Sequence, residues 1–242
     1  MTEFDKYSTR SADYHYDQLN RSSLKRYNAQ VAARFEALVE NVDRIARDKK
    51  LKLLDVGCGD GVALSLLSKS SPNLELYGVE PAREALEVAR KKTPHADVRE
   101  GGADKLPFED NYFDIVTSSD VIEHVENPDK MLGEVSRVAK AGAHVIIGTP
   151  IKHSKTPLDH NHAQEFFAED FRDLMAKYFR EVELHETHDL GYVLLYNQPT
   201  HSFLNFRYLM NFLDLTLRWN PFEKERRNKV EMFAYMYAIA RK

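Results

Sequence analysis

The sequence predicts an α/β fold built on a doubly wound, largely parallel sheet. Three observations carry that expectation. Residues 51–61, L-K-L-L-D-V-G-C-G-D-G, read as a buried strand broken by glycines at alternate positions, Gly57, Gly59 and Gly61. Glycine belongs where a chain turns sharply or passes a ligand without a Cβ in the way. Val62, Leu64, Leu66 and Leu67 then open a helix, so main-chain N–H groups and a positive helix end meet at the carboxyl edge of the sheet, where open α/β folds bind nucleotides. Nineteen residues past Gly61, Glu80 closes a second apolar run of Leu74, Leu76, Tyr77 and Val79. An acid at that spacing can accept both hydroxyls of a ribose. Beyond it, strand-like and helix-like stretches alternate through the rest of the chain.

The bulk numbers fit such a domain. A chain of 242 residues, 43% hydrophobic and 30% charged, suits one domain with a sizeable core. A net charge of −4 argues against a dedicated nucleic-acid binder. The single cysteine, Cys58, cannot form an internal disulfide, which fits a reducing compartment, and inside the glycine turn it reads as a small packed side chain. The first residues, M-T-E-F-D-K, lack an apolar leader, and no stretch reaches the roughly 18 apolar residues of a membrane span. A cytoplasmic protein is expected.

Taken in order, residues 1–20 are polar and rich in tyrosine, a loop or short helix. Leu24, Tyr27, Val31, Phe35, Leu38, Val42 and Ile45 recur at spacings of three and four, predicting an amphipathic helix over about 22–48. After Glu80, Pro81 suits the first turn of a helix running to about Lys92. A brief strand follows at 98–101, and another at 113–117. A helix over 129–139 stops near Gly142, and a fifth strand spans 144–149. The polar stretch 151–162, I-K-H-S-K-T-P-L-D-H-N-H, has the composition of a mobile active-site loop. Residues 166–178 read as helix and 182–187 as a sixth strand. The stretch 203–219 has 11 apolar residues of 17 and is interrupted by Arg207, Asp214 and Arg218, so it is a helix that something must cover. Core packing, a dimer face or a wall of a substrate pocket all fit it. Pro221 ends it, a charged turn follows, and 233–240 supplies the last strand.

D-V-G-C-G-D-G followed by G-V-E-P resembles the class I S-adenosylmethionine-dependent methyltransferases, well over 51–150 and loosely beyond. The resemblance implies a Rossmann-like doubly wound sheet of seven strands, the last antiparallel and inserted beside the sixth. It also implies a single domain over 1–242: a helical lid at 1–50, a cofactor half at 51–150, and an acceptor half at 151–242 with a helical insertion at about 199–227. S-adenosylmethionine is then the cofactor. Its implied contacts are Asp55, Gly57, Cys58, Gly59 and Gly61 in the first motif, Glu80 on the ribose, Pro81 against the adenine, and Ser119 at the fourth strand's end. Gly102 stands where relatives often carry an acid for the adenine amino group, so Ala103 N–H or Asp104 is the expected substitute. Tyr14, Tyr16 and Arg26 in the leader are candidates to touch cofactor or acceptor, with packing or surface roles open for each.

The sulfonium of such a cofactor makes its methyl group a strong electrophile. The protein must chiefly align an acceptor, exclude water, and take a proton where the nucleophile carries one. Histidine is the commonest base for that. His124, His153, His160 and His162 lie in loops expected on the cofactor side. His124, in the family's E-H-V pattern, and His160 and His162, in D-H-N-H, are the catalytic candidates; a structural role stays open for His124. Asp159, His160 and His162 have metal-binding residue types, but no further ligand is marked and no metal is assigned. The expected function is methylation of a small molecule, most directly on oxygen. An RNA or protein methyltransferase and a non-catalytic nucleotide binder are the alternatives. A nicotinamide-dependent oxidoreductase fits less well, since the turn is G-x-G-x-G with Val62 in the sixth place. This reading allows a homodimer through 203–219, with no nucleic-acid partner and no membrane span expected.

Overall fold

The computed structural model describes residues 11–153, 162–197, 205–223 and 232–242. Its strands are β1 (Lys52–Val56), β2 (Glu75–Glu80), β3 (Asp97–Glu100), β4 (Phe113–Ser119), β5 (Ala139–Pro150), β6 (Arg180–Asp189) and β7 (Phe233–Arg241). They form one sheet in the order β3-β2-β1-β4-β5-β7-β6. β7 runs antiparallel to both β5 and β6, and the remaining pairs are parallel. This is the doubly wound seven-stranded arrangement expected from the sequence.

Period-two alternation sends successive residues of each strand to opposite faces. Leu53, Ile115 and Ile146 point to one side, against Leu38 and Val42, Leu64 and Leu67, and Leu86 and Ala89. These pairs lie on α2 (Ala29–Ala46), α3 (Val62–Ser70) and α4 (Arg83–Lys92). Leu54, Val116, Val145 and Ile147 point to the other, against α5 (Pro128–Val138) and α6 (Ala168–Ala176), through Leu132, Val135, Phe171 and Met175. A fully buried leucine or valine contributes roughly 1.5–3 kcal/mol, so both layers are held on by many such side chains.

Several boundaries differ from the sequence reading, each for a local reason. The leader helix starts at Ala29, not near residue 22, because the Asn28 side chain accepts the N–H groups of Gln30 and Val31 at 3.1 and 3.2 Å. A short helix, α1 (Tyr14–Gln18), precedes it. Pro81 lies before α4, whose N-cap is Ala82. Gly142 does not stop α5, which ends at Val138; it turns the chain with a φ of +78° inside β5, where the register against β4 shifts. Phe166 bridges Ile151 and is not yet helical. Pro221 is not the terminator of the apolar helix, because Arg218 ends it in the left-handed region with a φ of 53°. One helix, α7 (Leu190–Tyr196), was not expected; Asp189 caps it by accepting from Gly191 and Tyr192.

The stretch 203–219 yields α8 (Phe206–Leu217), and its burial is inverted. Met210, Asn211 and Asp214 face inward, whereas Phe206, Leu209, Phe212 and Leu217 face solvent, Leu217 at 68% exposure. Met210 and Leu215 pack into the cluster around Tyr27, Tyr196 and Phe222, so core packing accounts for only a small part of the helix's apolar side. Among the described residues no helix is long and apolar enough to cross a membrane.

Candidate active site

The glycine turn follows β1 at the carboxyl edge. Gly57, Gly59 and Gly61 have φ of +72°, +53° and +81°, where a side chain is disfavoured. Space forbids one as well. A Cβ on Gly57 would strike Val121, and one on Gly61 would lie 3.0 Å from Ala89. Two N–H groups, of Gly57 and Cys58, donate to the Val79 carbonyl at 2.8 and 3.0 Å, fastening the turn to β2.

At the tip of β2, buried Glu80 accepts the Gly59 N–H at 2.9 Å through Oε2 and the Ala82 N–H at 3.0 Å through Oε1. A carboxylate has about four lone-pair positions, so these main-chain bonds orient it and still suit it to paired hydroxyls. Asp55 lies buried at the end of β1, accepting from Thr117 Oγ1 at 2.9 Å. Burial, reinforced by the Glu80 charge and opposed by the Thr117 bond, pushes its pKa up to about 7. Burial likewise drives the Cys58 thiol well up. It is a packed side chain, filling space left by Gly78, where a Cβ would come within 2.8 Å of its Sγ.

The segment after β3 adjoins Glu80, since Gly101 N–H donates to the Glu80 carbonyl at 3.3 Å. A Cβ on Gly102 would meet Asp104 Oδ1 at 2.9 Å, so the Asp104 carboxylate reaches over the position where a side chain is missing. Lys130 holds its other oxygen at 2.9 Å. Ala103 packs against the core beside it, and Pro81 is exposed.

The leader touches the same edge. His15 donates its N–H to Asp60 Oδ2 at 2.8 Å and sets Nδ1 3.1 Å from Oδ1, while Tyr16 OH donates to the Gly61 carbonyl at 3.4 Å. Tyr14 packs edge-on against His15, and Arg26 instead pairs with Asp17 at the surface. On α2, Arg34 donates to Asp120 Oδ1 at 2.8 Å and lies over the Tyr235 ring at 4.4 Å. Burial opposes the Arg34 charge, but Asp120, Tyr235 and Glu123 together offset it and keep its pKa raised. Ser119 Oγ lies 2.8 Å from Tyr235 OH, closing a network between α2, β4 and β7.

Past β4 comes a 3-10 turn, Ile122–His124. Buried Glu123 accepts from Thr149 Oγ1 at 3.0 Å, and burial, then the nearby Asp120, raises its pKa to about 8. The His124 and His162 rings meet edge to face at 5.1 Å, and His162 Nδ1 sits 2.8 Å from Glu165 Oε1. Of the histidine candidates, His124 and His162 are thus brought together; His160, like Asp159, lies outside the described residues. His153 closes the described stretch 11–153.

Sequence reasoning missed Arg34, Asp120, Glu123, Glu165 and Tyr235. Two had a visible signal. Arg34 falls on the apolar stripe of its helix, between Val31 and Leu38, and Glu123 directly precedes His124. The others are joined only by the fold.

Residues 54–147 match the family model described as a methyltransferase domain. An uncharacterized methyltransferase of Schizosaccharomyces pombe is 38% identical over 39% of this chain and 38% of its own length. The ubiquinone/menaquinone biosynthesis C-methyltransferase UbiE of Campylobacter jejuni is 31% identical over 54% of this chain and 57% of its own. The chain therefore spans little more than half the length of these curated relatives, or less. Among solved structures, phosphoethanolamine N-methyltransferase 2 of Haemonchus contortus, in complex with S-adenosyl-L-methionine, aligns with all of this chain and 60% of its own, at a TM-score of 0.60 and 17% identity. Residues 54–147 are thus similar to a methyltransferase domain, and the sheet order around them is the one that the resemblance to the class I S-adenosylmethionine-dependent methyltransferases implies.

Proposed function

We propose that this protein methylates a small-molecule acceptor, with S-adenosylmethionine held by the glycine turn and Glu80. The observation that carries this reading is the pairing of a carboxylate at the tip of β2 with a side-chain-free turn, joined by the Gly59 N–H. S-adenosylmethionine supplies, when bound, a methyl group already activated by its sulfonium. Asp55, Gly57, Cys58, Gly59, Gly61 and Ser119 line its place, Pro81, Gly102, Ala103 and Asp104 the adenine end, and α1 with α2 forms the lid. What remains for the protein is alignment, which can be worth about 7–11 kcal/mol of barrier, and removal of a proton. His124, His160 and His162 are the groups proposed to hold that proton.

Oxygen is the first acceptor atom in this reading. The name of the Campylobacter relative favours carbon as a second. A phenol or enol serves both, because loss of its hydroxyl proton raises nucleophilicity at oxygen and at the neighbouring carbon. The exposed face of α8 is proposed to pair with a second copy of the chain.

Calorimetry with S-adenosylmethionine and NAD in parallel tests the cofactor. We expect binding of the first alone, weakened by about 1.5–3 kcal/mol in Glu80→Ala, the loss expected of charge-assisted hydrogen bonds. Binding of NAD alone, or unchanged affinity in the variant, contradicts the reading. An assay for S-adenosylhomocysteine over a panel of phenols and enols, with mass analysis of products, then separates oxygen from carbon.

A further inference from the structure

We infer that Glu123, His124 and His162 form a binding site for a divalent transition-metal cation, with Glu165 fixing the orientation of His162. One carboxylate oxygen and one ring nitrogen from each histidine lie within 4.8 Å of one another. Around a tetrahedral ion with bonds of about 2.0–2.1 Å, ligand atoms stand roughly 3.4 Å apart. Small side-chain rotations therefore close the site.

A second, independent feature points the same way. His162 Nδ1 sits 2.8 Å from Glu165 Oε1, and Glu165 is buried. An ionised carboxylate only accepts, so Nδ1 carries the proton and Nε2 carries the lone pair. A carboxylate behind a histidine is the arrangement that sets the tautomer and raises the basicity of metal-bound imidazole. The two segments are also stitched by their main chains. Gln164 donates its N–H to the Glu123 carbonyl at 3.1 Å and its side-chain amide to the Val125 carbonyl at 2.8 Å. The cluster is thus held by backbone on both sides rather than by the chance approach of long side chains.

Two imidazoles and one carboxylate suit zinc, cobalt or iron better than magnesium or calcium, which prefer oxygen alone. Three protein ligands leave a position open for an exogenous oxygen. That this oxygen belongs to the acceptor rests on the methyl-transfer reading, and with the ion bound His124 and His162 spend their lone pairs on it, so of the three proposed bases the acceptor's proton then falls to His160; the binding of metal does not rest on that reading.

The test uses the full chain without a purification tag, stripped by chelation and titrated with Co2+, followed by its visible absorption. We expect one equivalent to give a saturable band, lost in His162→Ala and in His124→Ala. Glu165→Gln should weaken cobalt affinity about 10–100-fold, as for loss of a supporting carboxylate. Circular dichroism checks that each variant is folded, and His124→Gln replaces His124→Ala if that one is not. No band, or a band of equal strength in the histidine variants, overturns the inference. Calorimetry with S-adenosylmethionine on the same samples separates the two proposals. Nucleoside binding without a cobalt band sinks the metal site alone, and a band without nucleoside binding supports the site while sinking the cofactor reading.

Discussion

His188 shows how much a single residue does here that its sequence neighbours do not announce. It lies buried at the end of β6, between the rings of Phe222 and Tyr235. Nε2 meets the Gln30 carbonyl at 2.8 Å and so donates, which leaves Nδ1 to accept from Thr187 Oγ1 at 2.9 Å. Burial, with Arg34 nearby, lowers its pKa to about 3. The folded state therefore binds fewer protons than the unfolded chain between that value and the usual one near 6.5. Its contribution to stability is fully present above about pH 6.5 and is lost as pH falls toward 3. His188→Gln keeps a donor and an acceptor but cannot take the charge. Melting curves from pH 7.5 down to pH 4 should show a shallower loss of stability in the variant; parallel slopes would mean that His188 is protonated in the fold. The places of Asp55 and the three glycines, by contrast, were legible, because a strand-turn-helix pattern is local. His188, Arg34 and Tyr235 meet across three distant parts of the chain, and nothing in a linear pattern joins them.

At the scale of elements, α8 gives the sharpest difference between composition and packing. Its stretch reads as greasy, yet its buried face sets Asn211 and Asp214 beside Met210. Asn211 accepts from Tyr196 OH at 2.7 Å and from the Ala29 N–H at 3.2 Å, and donates to the carbonyls of Tyr27 and Leu24. Asp214 accepts from Tyr27 OH at 2.5 Å. These polar side chains satisfy the start of α2 and two buried tyrosines, a demand set by neighbours far away in sequence. Apolar counts cannot show that, so the helix was legible and its orientation was not. Asn211→Leu leaves at least two buried polar groups unpaired, at about 1–3 kcal/mol each. Urea melts should show a loss of roughly 2–5 kcal/mol, and a loss below 1 kcal/mol would remove this network from the stability of the leader. The outward face makes the opposite case. Phe212→Glu should leave the fold of one chain intact and convert a dimer to monomer by light scattering. A wild-type chain that is already monomeric at all concentrations contradicts the proposed pairing.

At the scale of the whole molecule, the sheet order places the ends of β1, β2, β3, β4 and β5 along one edge, and the described candidate residues of the cofactor half lie at those strand ends or just past them. This much was legible in advance because parallel strands joined by helices must reverse order beside the first strand, and ligands bind where they do. The acceptor side was less so. His124 and His162 are 38 positions apart in sequence, and the bonds from Gln164 to the carbonyls of Glu123 and Val125 hold their two segments together. The central claim is that the chain closes main-chain amides around a nucleoside and grips its sugar at Glu80. A crystal structure of the chain grown with S-adenosylhomocysteine tests it most directly. The account predicts both ribose hydroxyls on the Glu80 carboxylate and the amino-acid tail against the turn at 57–61. Density for the nucleoside elsewhere, or a Glu80 side chain with no contact to it, would contradict the account.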